Sequence, residues 1–228
     1  MRWASAVSTE HDLEPAVSEL VARLGHELAR VEPDLVLAFS AGHDAAQLER
    51  LPQLLQAWIG DGLLLGCGAS GIIAGRHEVE DEPALGLLAA LLTDVELTAI
   101  HLDQPALPAL RAPREAWWRL TGVAPESEPS FVVLADPFSF DVEHCVRGLD
   151  RAFPGSTIVE RHGKKIVFFT NCPIAFAVFL GRHIWDDQPL RASIPGVFAK
   201  CFQSAVFAIS FVAKDNIKVA HEKQRNIY

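Results

Sequence analysis

The residues best suited to chemistry in this chain of 228 residues fall in two short clusters, Ser40-Ala41-Gly42-His43 and Gly66-Cys67-Gly68-Ala69-Ser70-Gly71. A thiol in a glycine-rich turn becomes a nucleophile when backbone dipoles lower its pKa, and Cys67 has that setting. The same position equally suits any small residue where the chain must turn. Ser70 lies in Gly68-Ala69-Ser70-Gly71-Ile72, which is not the GxSxG of a nucleophile elbow, and no His/Asp pair can be assigned to it. The glycines match neither a dinucleotide fingerprint nor a Walker A loop. Cys67, Cys145, Cys172 and Cys201 show no CxxC pair and no metal-ligand spacing, so they are expected to be free thiols in a reducing cytoplasm. Glu78, Glu80, Asp81 and Glu82 form an acidic loop that would either hold a cation or simply face water. No catalytic residue, metal ligand or cofactor is assigned. His43 and Asp136 each follow an apolar run, where they would contact a polar ligand or serve as caps and turn residues.

The elements that must position these groups are legible as a repeated plan. Leu35 to Phe39 is a short continuous apolar run, as expected of a strand buried on both faces. A helical segment from His43 or Asp44 follows, with Leu48, Leu51, Leu55, Trp58 and Ile59 on one face and Pro52 splitting or kinking it. Gly60-Asp61-Gly62 stops it before a second run, Gly62 to Leu65. A strand, helix and strand in that order form a parallel crossover unit. Ser130 to Asp136, a helix over Asp141 to Phe153, Pro154-Gly155 and a strand from Ser156 to Val159 repeat the plan. Side by side, the two units would form one sheet with a shared ligand edge at the strands' carboxyl ends. Thr9 to Asp12 resembles a capping box ahead of an amphipathic helix over about residues 10–31. Ala84 to Leu92 and Val95 to Leu102, joined by Thr93-Asp94, predict a β-hairpin. Pro113 to Leu120 predicts a short helix whose paired tryptophans pack.

Average composition hides a break. The net charge of −9 splits into −15 over residues 1–160, which hold 10 Arg and no Lys, and +6 over residues 161–228. All 3 Asn, the single Tyr and 8 of the 13 Phe fall after residue 160. The later residues favour AT-rich codons and the earlier ones GC-rich codons. The segment 161–228 is therefore expected to have a separate origin, as a frameshifted, intronic or recombined stretch. The acidic balance argues against nucleic acid as partner. Met1 to Asp12 lacks the pattern of a secretory signal. Ile166 to Leu180 and Ala205 to Ala213 fall short of the roughly 20 apolar residues of a membrane-spanning helix. Ile166 to Thr170 would extend the last strand, and Val197 to Val212 would be an amphipathic or buried helix.

The runs Leu35-Val36-Leu37-Ala38-Phe39-Ser40 and Leu64-Leu65-Gly66-Cys67-Gly68-Ala69-Ser70-Gly71-Ile72-Ile73 resemble the N-terminal domain of the FIST family of sensory, signal-transduction proteins. Glu82 to Leu85, Phe131 to Pro137 and Phe153 to Gly155 extend the resemblance over about residues 3–160. It implies small-ligand binding, with amino acids among the candidates, and relay of a signal to attached modules. A separate C-terminal FIST domain is not found, so the chain is read as a truncated member with an unrelated tail.

The expectation is a cytoplasmic α/β fold over residues 1–160. It has a mixed sheet built from two βαβ-like units plus a hairpin, with helices packed on the sheet. Its role would be sensing a small molecule through Ser40, Gly42, His43, Gly66, Cys67, Gly68, Ser70, Gly71 and Asp136. The alternatives are an enzyme with Cys67 as nucleophile and a non-functional fragment. The downstream signalling partner is not identified by the sequence.

Overall fold

The computed structural model describes residues 1–74, 77–80, 82–135, 140–162, 167–170, 179–180 and 205–213. It has the α/β character the sequence predicts, with two mixed sheets, a small two-stranded sheet and several helices, divided between two compact units.

The first unit begins with a strand, β1 (Arg2–Ser8), that no apolar run announces. Ala4, Ala6 and Ser8 alternate inward, so small side chains make a half-buried strand. The helix after it, α1 (Leu13–Glu27), starts later than the expected residue 10. Residues 9–12 serve instead as the turn out of β1, with the Glu10 amide donating to Ser8 Oγ, and Asp12 makes no side-chain cap. The helix ends where Ala29 and Arg30 adopt left-handed φ of 56° and 60°. Then come β2 (Leu35–Ala41), the short α2 (Ala45–Leu48), α3 (Leu51–Ile59) and β3 (Leu63–Gly68). Pro52 splits the crossover helix as expected, because it falls in the first turn of α3. A small hairpin of β4 (Gly71–Ala74) and β5 (His77–Glu80) precedes β6 (Ala84–Leu91).

In this sheet β6 lies antiparallel between β1 and β2, and β2 pairs parallel with β3, the pairing a helical crossover demands. Consequently β1, β2 and β3 all run the same way and end at one edge. Leu13, Ala16, Val17, Leu20 and Leu24 of α1 and Leu51, Leu55 and Ile59 of α3 bury against Ala4 and Ala6, Val36 and Ala38, Leu64, and Leu85, Leu87 and Ala89. At the opposite end, Asp34 ties three strands together. Its amide donates to the Ala90 carbonyl and its carbonyl accepts from the Leu63 amide, both at 2.9 Å, while its carboxylate accepts from the Leu92 amide at 2.7 Å.

The second unit contains β7 (Val95–Asp103), α4 (Arg114–Thr121), β8 (Ser130–Ala135), α5 (Val142–Ala152) and β9 (Ile158–His162). β8 and β9 are parallel across α5, as the repeated plan predicts. Pro113 precedes α4, and Asp141 caps α5 by accepting from the His144 amide at 2.9 Å. Trp117, Phe131, Phe140, Leu149 and Phe153 form its core. The segment before α4 is strapped to α5: the His144 ring donates to the Pro108 carbonyl at 2.8 Å, and Arg151 donates to the carbonyls of Leu110 and Ala112.

Four expectations are corrected here. The two crossover units do not share a sheet, because β2 and β3 lie in one and β8 and β9 in another. Nor do the runs flanking Thr93-Asp94 form a hairpin. β6 is taken by β1 and β2 on its two sides, and Asp94, at φ 61°, turns the chain into the second unit. Of the later segments, β10 (Val167–Thr170) does not continue β9 but pairs antiparallel with β3, and β11 (Phe179–Leu180) pairs with β10. The expected helix over 197–212 is overturned for residues 205–212, since β12 (Ala205–Ala213) is a strand between β7 and β8; residues 197–204 lie outside the described residues. Its nearly continuous apolar run, with β-branched and aromatic residues, suits that state.

The packing of α4 on α5 leaves no room at Gly148, where a Cβ would come within 2.0 Å of the Trp117 ring. Gly148→Ala should lower stability by about 1–3 kcal/mol through overpacking. Urea unfolding followed by tryptophan fluorescence measures this.

Candidate functional site

Register places the expected site residues of the first unit along one rim. Ser8 of β1 and Ser40 of β2 both lie opposite Leu85 of β6, and Ser40 lies opposite Gly68 of β3, so Ser8, Leu85, Ser40 and Gly68 form one row. Two residues beyond the buried Ala6 and Ala38, Ser8 and Ser40 point to the same helix-covered face. Each is 2% exposed, the only buried polar side chains described in this unit. Ser8 Oγ donates to the Glu19 carboxylate of α1, which also receives Arg23 at 3.2 Å.

Ser40 begins the turn that carries the other groups. Its carbonyl accepts from the Ala69 amide at 2.7 Å, which holds the ends of β2 and β3 together. Gly42 has φ 72°, and a Cβ there would lie 2.8 Å from Pro83 Cα, so the turn admits only glycine without movement. Beyond it, Asp44 and Gln47 exchange reciprocal bonds: Asp44 Oδ1 accepts from the Gln47 amide at 2.7 Å, and the Asp44 amide donates to Gln47 Oε1 at 3.2 Å. His43 is thereby fixed from both sides. Its Nδ1 is 2.9 Å from Ser40 Oγ. Its Nε2 is enclosed and meets no hydrogen-bond partner among the described residues. A buried polar atom without a partner costs about 1–3 kcal/mol. Burial holds the ring pKa below its ordinary 6.5, outweighing the nearby backbone of Glu10 and Ala41 and the Asp44 carboxylate, which favour charge; His11 adds to the lowering.

Gly66, Cys67 and Gly68 sit on β3, opposite Ala38, Phe39 and Ser40. Cys67 is 2% exposed, an enclosure that does not favour attack on an external substrate. Ser70 is exposed just past the rim, and Gly71 opens β4, packed beneath the Val79 carbonyl. The hairpin crosses the sheet's other face, with Ile72 against Ala41 and Ala84. Glu78 and Glu80 are exposed, and no group of residues able to hold a metal ion occurs among the described residues. Asp136 lies outside the described residues, and the strand leading to it, β8, belongs to the second sheet. The structure thus brings together Ser40, Gly42, His43, Gly66, Cys67 and Gly68. It adds Ser8, whose signal was an alternation of small residues rather than an apolar run.

A family model, the FIST N domain, matches residues 34–159, which include the first βαβ unit, the second as far as the start of β9, and the stretch from Ser40 to Gly71. The chain belongs to the FIST N family. FIST domains are signal-transduction sensors. An uncharacterized protein of Mycobacterium tuberculosis is similar, 32% identical over 161 residues that make up 70% of this FIST chain and 40% of the relative. An uncharacterized protein of Mycobacterium bovis is 30% identical over 162 residues, 70% of this chain and 39% of its own. The FIST chain therefore spans about two fifths of the length of these curated relatives. No helix among the described residues is long and apolar enough to cross a membrane.

Two outcomes are expected from the turn. Gly42→Ala should cost about 1–3 kcal/mol, since it adds both left-handed strain and a contact with Pro83. The pH dependence of His43 also has a definite sign. A depressed pKa means that the unfolded chain binds more protons around pH 6, so stability rises with pH there. Relative to His43→Gln, the wild type should lose stability as pH falls from about 7.5 through the ring's unfolded and then its folded pKa, with the difference constant below both. Urea midpoints of the two proteins across that range provide the measurement.

Proposed function

We propose that the rim of the first unit is a small-ligand-sensing site, and that the chain acts in signal transduction rather than catalysis. The observation that carries this reading is convergence. Three strands end together, two buried hydroxyls and a glycine form one row, and beside them His43 presents an enclosed Nε2 that lacks a partner among the described residues. Ligand sites in open α/β sheets favour the carboxyl ends of strands, where backbone groups are not consumed by pairing. Membership of a sensor family supports the reading. The ligand-contacting set is Ser40, Gly42, His43, Gly66, Cys67, Gly68, Ser70 and Gly71, with Asp136 as a further candidate, and amino acids are among the small molecules to test. The partner that receives the signal would be a separate module, in keeping with relatives longer than this chain. A cytoplasmic setting fits four cysteines without metal-type spacing. The acidic balance before residue 160 makes nucleic acid an unsuitable partner.

A ligand that binds only the folded chain raises its melting temperature, equivalent to about 2.7 kcal/mol at a hundredfold excess over Kd. A panel of small metabolites, amino acids included, should contain at least one that gives a saturable rise, diminished in Ser40→Ala. A folded chain that no member of the panel stabilises would count against a sensing role.

A further inference from the structure

One strand of the first unit is open along its outer side. We propose that β1 pairs edge to edge with β1 of a second copy, antiparallel about a two-fold axis, so that two chains share one continuous sheet. This interface goes beyond the sensing role and does not depend on it.

Alternation along the ladders fixes which backbone groups of β1 are free. The Ser40 carbonyl accepts from the Ala69 amide, so the even-numbered residues of β2 turn their backbone groups to β3 and the odd-numbered ones to β6. In β6 the Ala90 carbonyl meets the Asp34 amide on the β2 side, so Leu85, Leu87, Ala89 and Leu91 face β1. Their partners there are Ser8, Ala6, Ala4 and Arg2. The amides and carbonyls of Trp3, Ser5 and Val7 therefore point away from the sheet. Arg23 agrees with that direction, since it reaches from α1 to the Val7 carbonyl at 3.0 Å. Among the described residues β1 has no neighbouring strand but β6, which leaves the backbone groups of Trp3 and Ser5 open. The seven residues of β1 pair in unbroken register and include neither Pro nor Lys, so the usual guards of a free edge are missing.

A second copy is the occupant that this edge fits. Two such strands meet antiparallel with Trp3 of one opposite Ser5 of the other, and with Ala4 opposite Ala4 on the axis. In that register the open residues exchange four hydrogen bonds, and neither Arg23 has to leave its carbonyl. The side chains are complementary too. Trp3, half-exposed on the face away from α1, lies diagonal to Trp3 of the other copy, a separation that aromatic side chains span. On the α1 face, alternation from Ala4 and Ala6 puts the exposed Arg2 opposite Ala6 of the other copy and diagonal to its Ser8, whose hydroxyl donates to the Glu19 carboxylate. A cation is thus brought towards a carboxylate twice, once on each side of the axis. An unrelated extended peptide would engage the same backbone groups without these two pairings.

Sedimentation of the full chain over a concentration series should show a monomer–dimer equilibrium. Ser5→Pro removes an outward donor and no bond to β6, so it should weaken association about tenfold or more while the dilute monomer still folds. Trp3→Lys sets like charges on the diagonal and should also weaken association, which keeps the test decisive if Ser5→Pro unfolds the chain. Hydrogen exchange at the Trp3 and Ser5 amides should slow as the dimer forms. A wild-type chain that stays monomeric at its highest soluble concentration overturns the proposal. So does a dimer that both variants leave intact, or one whose Trp3 and Ser5 amides exchange as fast as in the monomer.

Discussion

The constraint on which the first unit depends is that β2 has no free side. It pairs with β6 along one flank and β3 along the other, and six of its seven side chains are buried, all but Phe39. From Leu35 to Ser40 it has a neighbouring strand on both flanks, so its backbone is engaged in the ladders. Polar chemistry is therefore pushed to the strand's end, where Ser40 is the last residue paired to β3 and the chain must turn at Gly42. The insertion of β6 between β1 and β2 has a second effect. Because β6 is antiparallel to both, β1 ends at the same edge as β2 and β3, and a third strand contributes to the rim.

Much of this was legible in the sequence. Leu35 to Phe39 and Phe131 to Ala135 announced themselves because strands buried on both faces need unbroken apolar runs. The helices between them were bounded by Pro52, Gly60, Asp141 and Pro154, residues whose backbone preferences are local. What escaped was what local rules cannot decide. β1 turns Ala4, Ala6 and Ser8 inward, small enough to pack under α1 yet without the run of apolar bulk that marks a strand. The join at Thr93-Asp94 has the length of a hairpin loop, but β6 finds better partners on both sides. Whether two similar units share one sheet depends on long-range pairing, and here they do not.

The candidate site divides in the same way. Ser40, Gly42, Gly66 and Gly68 could be named because small residues at strand ends allow close approach of a backbone. Ser8 could not, since its place opposite Leu85 exists only once β1 is paired. His43 was legible as a polar residue at the rim, whereas its bond to Ser40 required the turn fixed by Gly42 and Asp44. The enclosure of Cys67 is likewise a property of the sheet. Its flanking glycines suggest an open turn, but β2 on one side and β10 on the other leave it within the ladder.

Asp34 closes the end of the sheet that Ser40 leaves open. One residue fastens β2, β3 and the exit of β6 with three hydrogen bonds, far from the glycines. The two ends of the same strands are thus fastened differently: at one end a single acidic residue clasps three neighbours like a rivet, and at the other a lone backbone bond from Ala69 to Ser40 joins only two. A substitution at Asp34 would therefore loosen three strands at once, whereas loss of the Ser40 hydroxyl would leave that backbone bond in place.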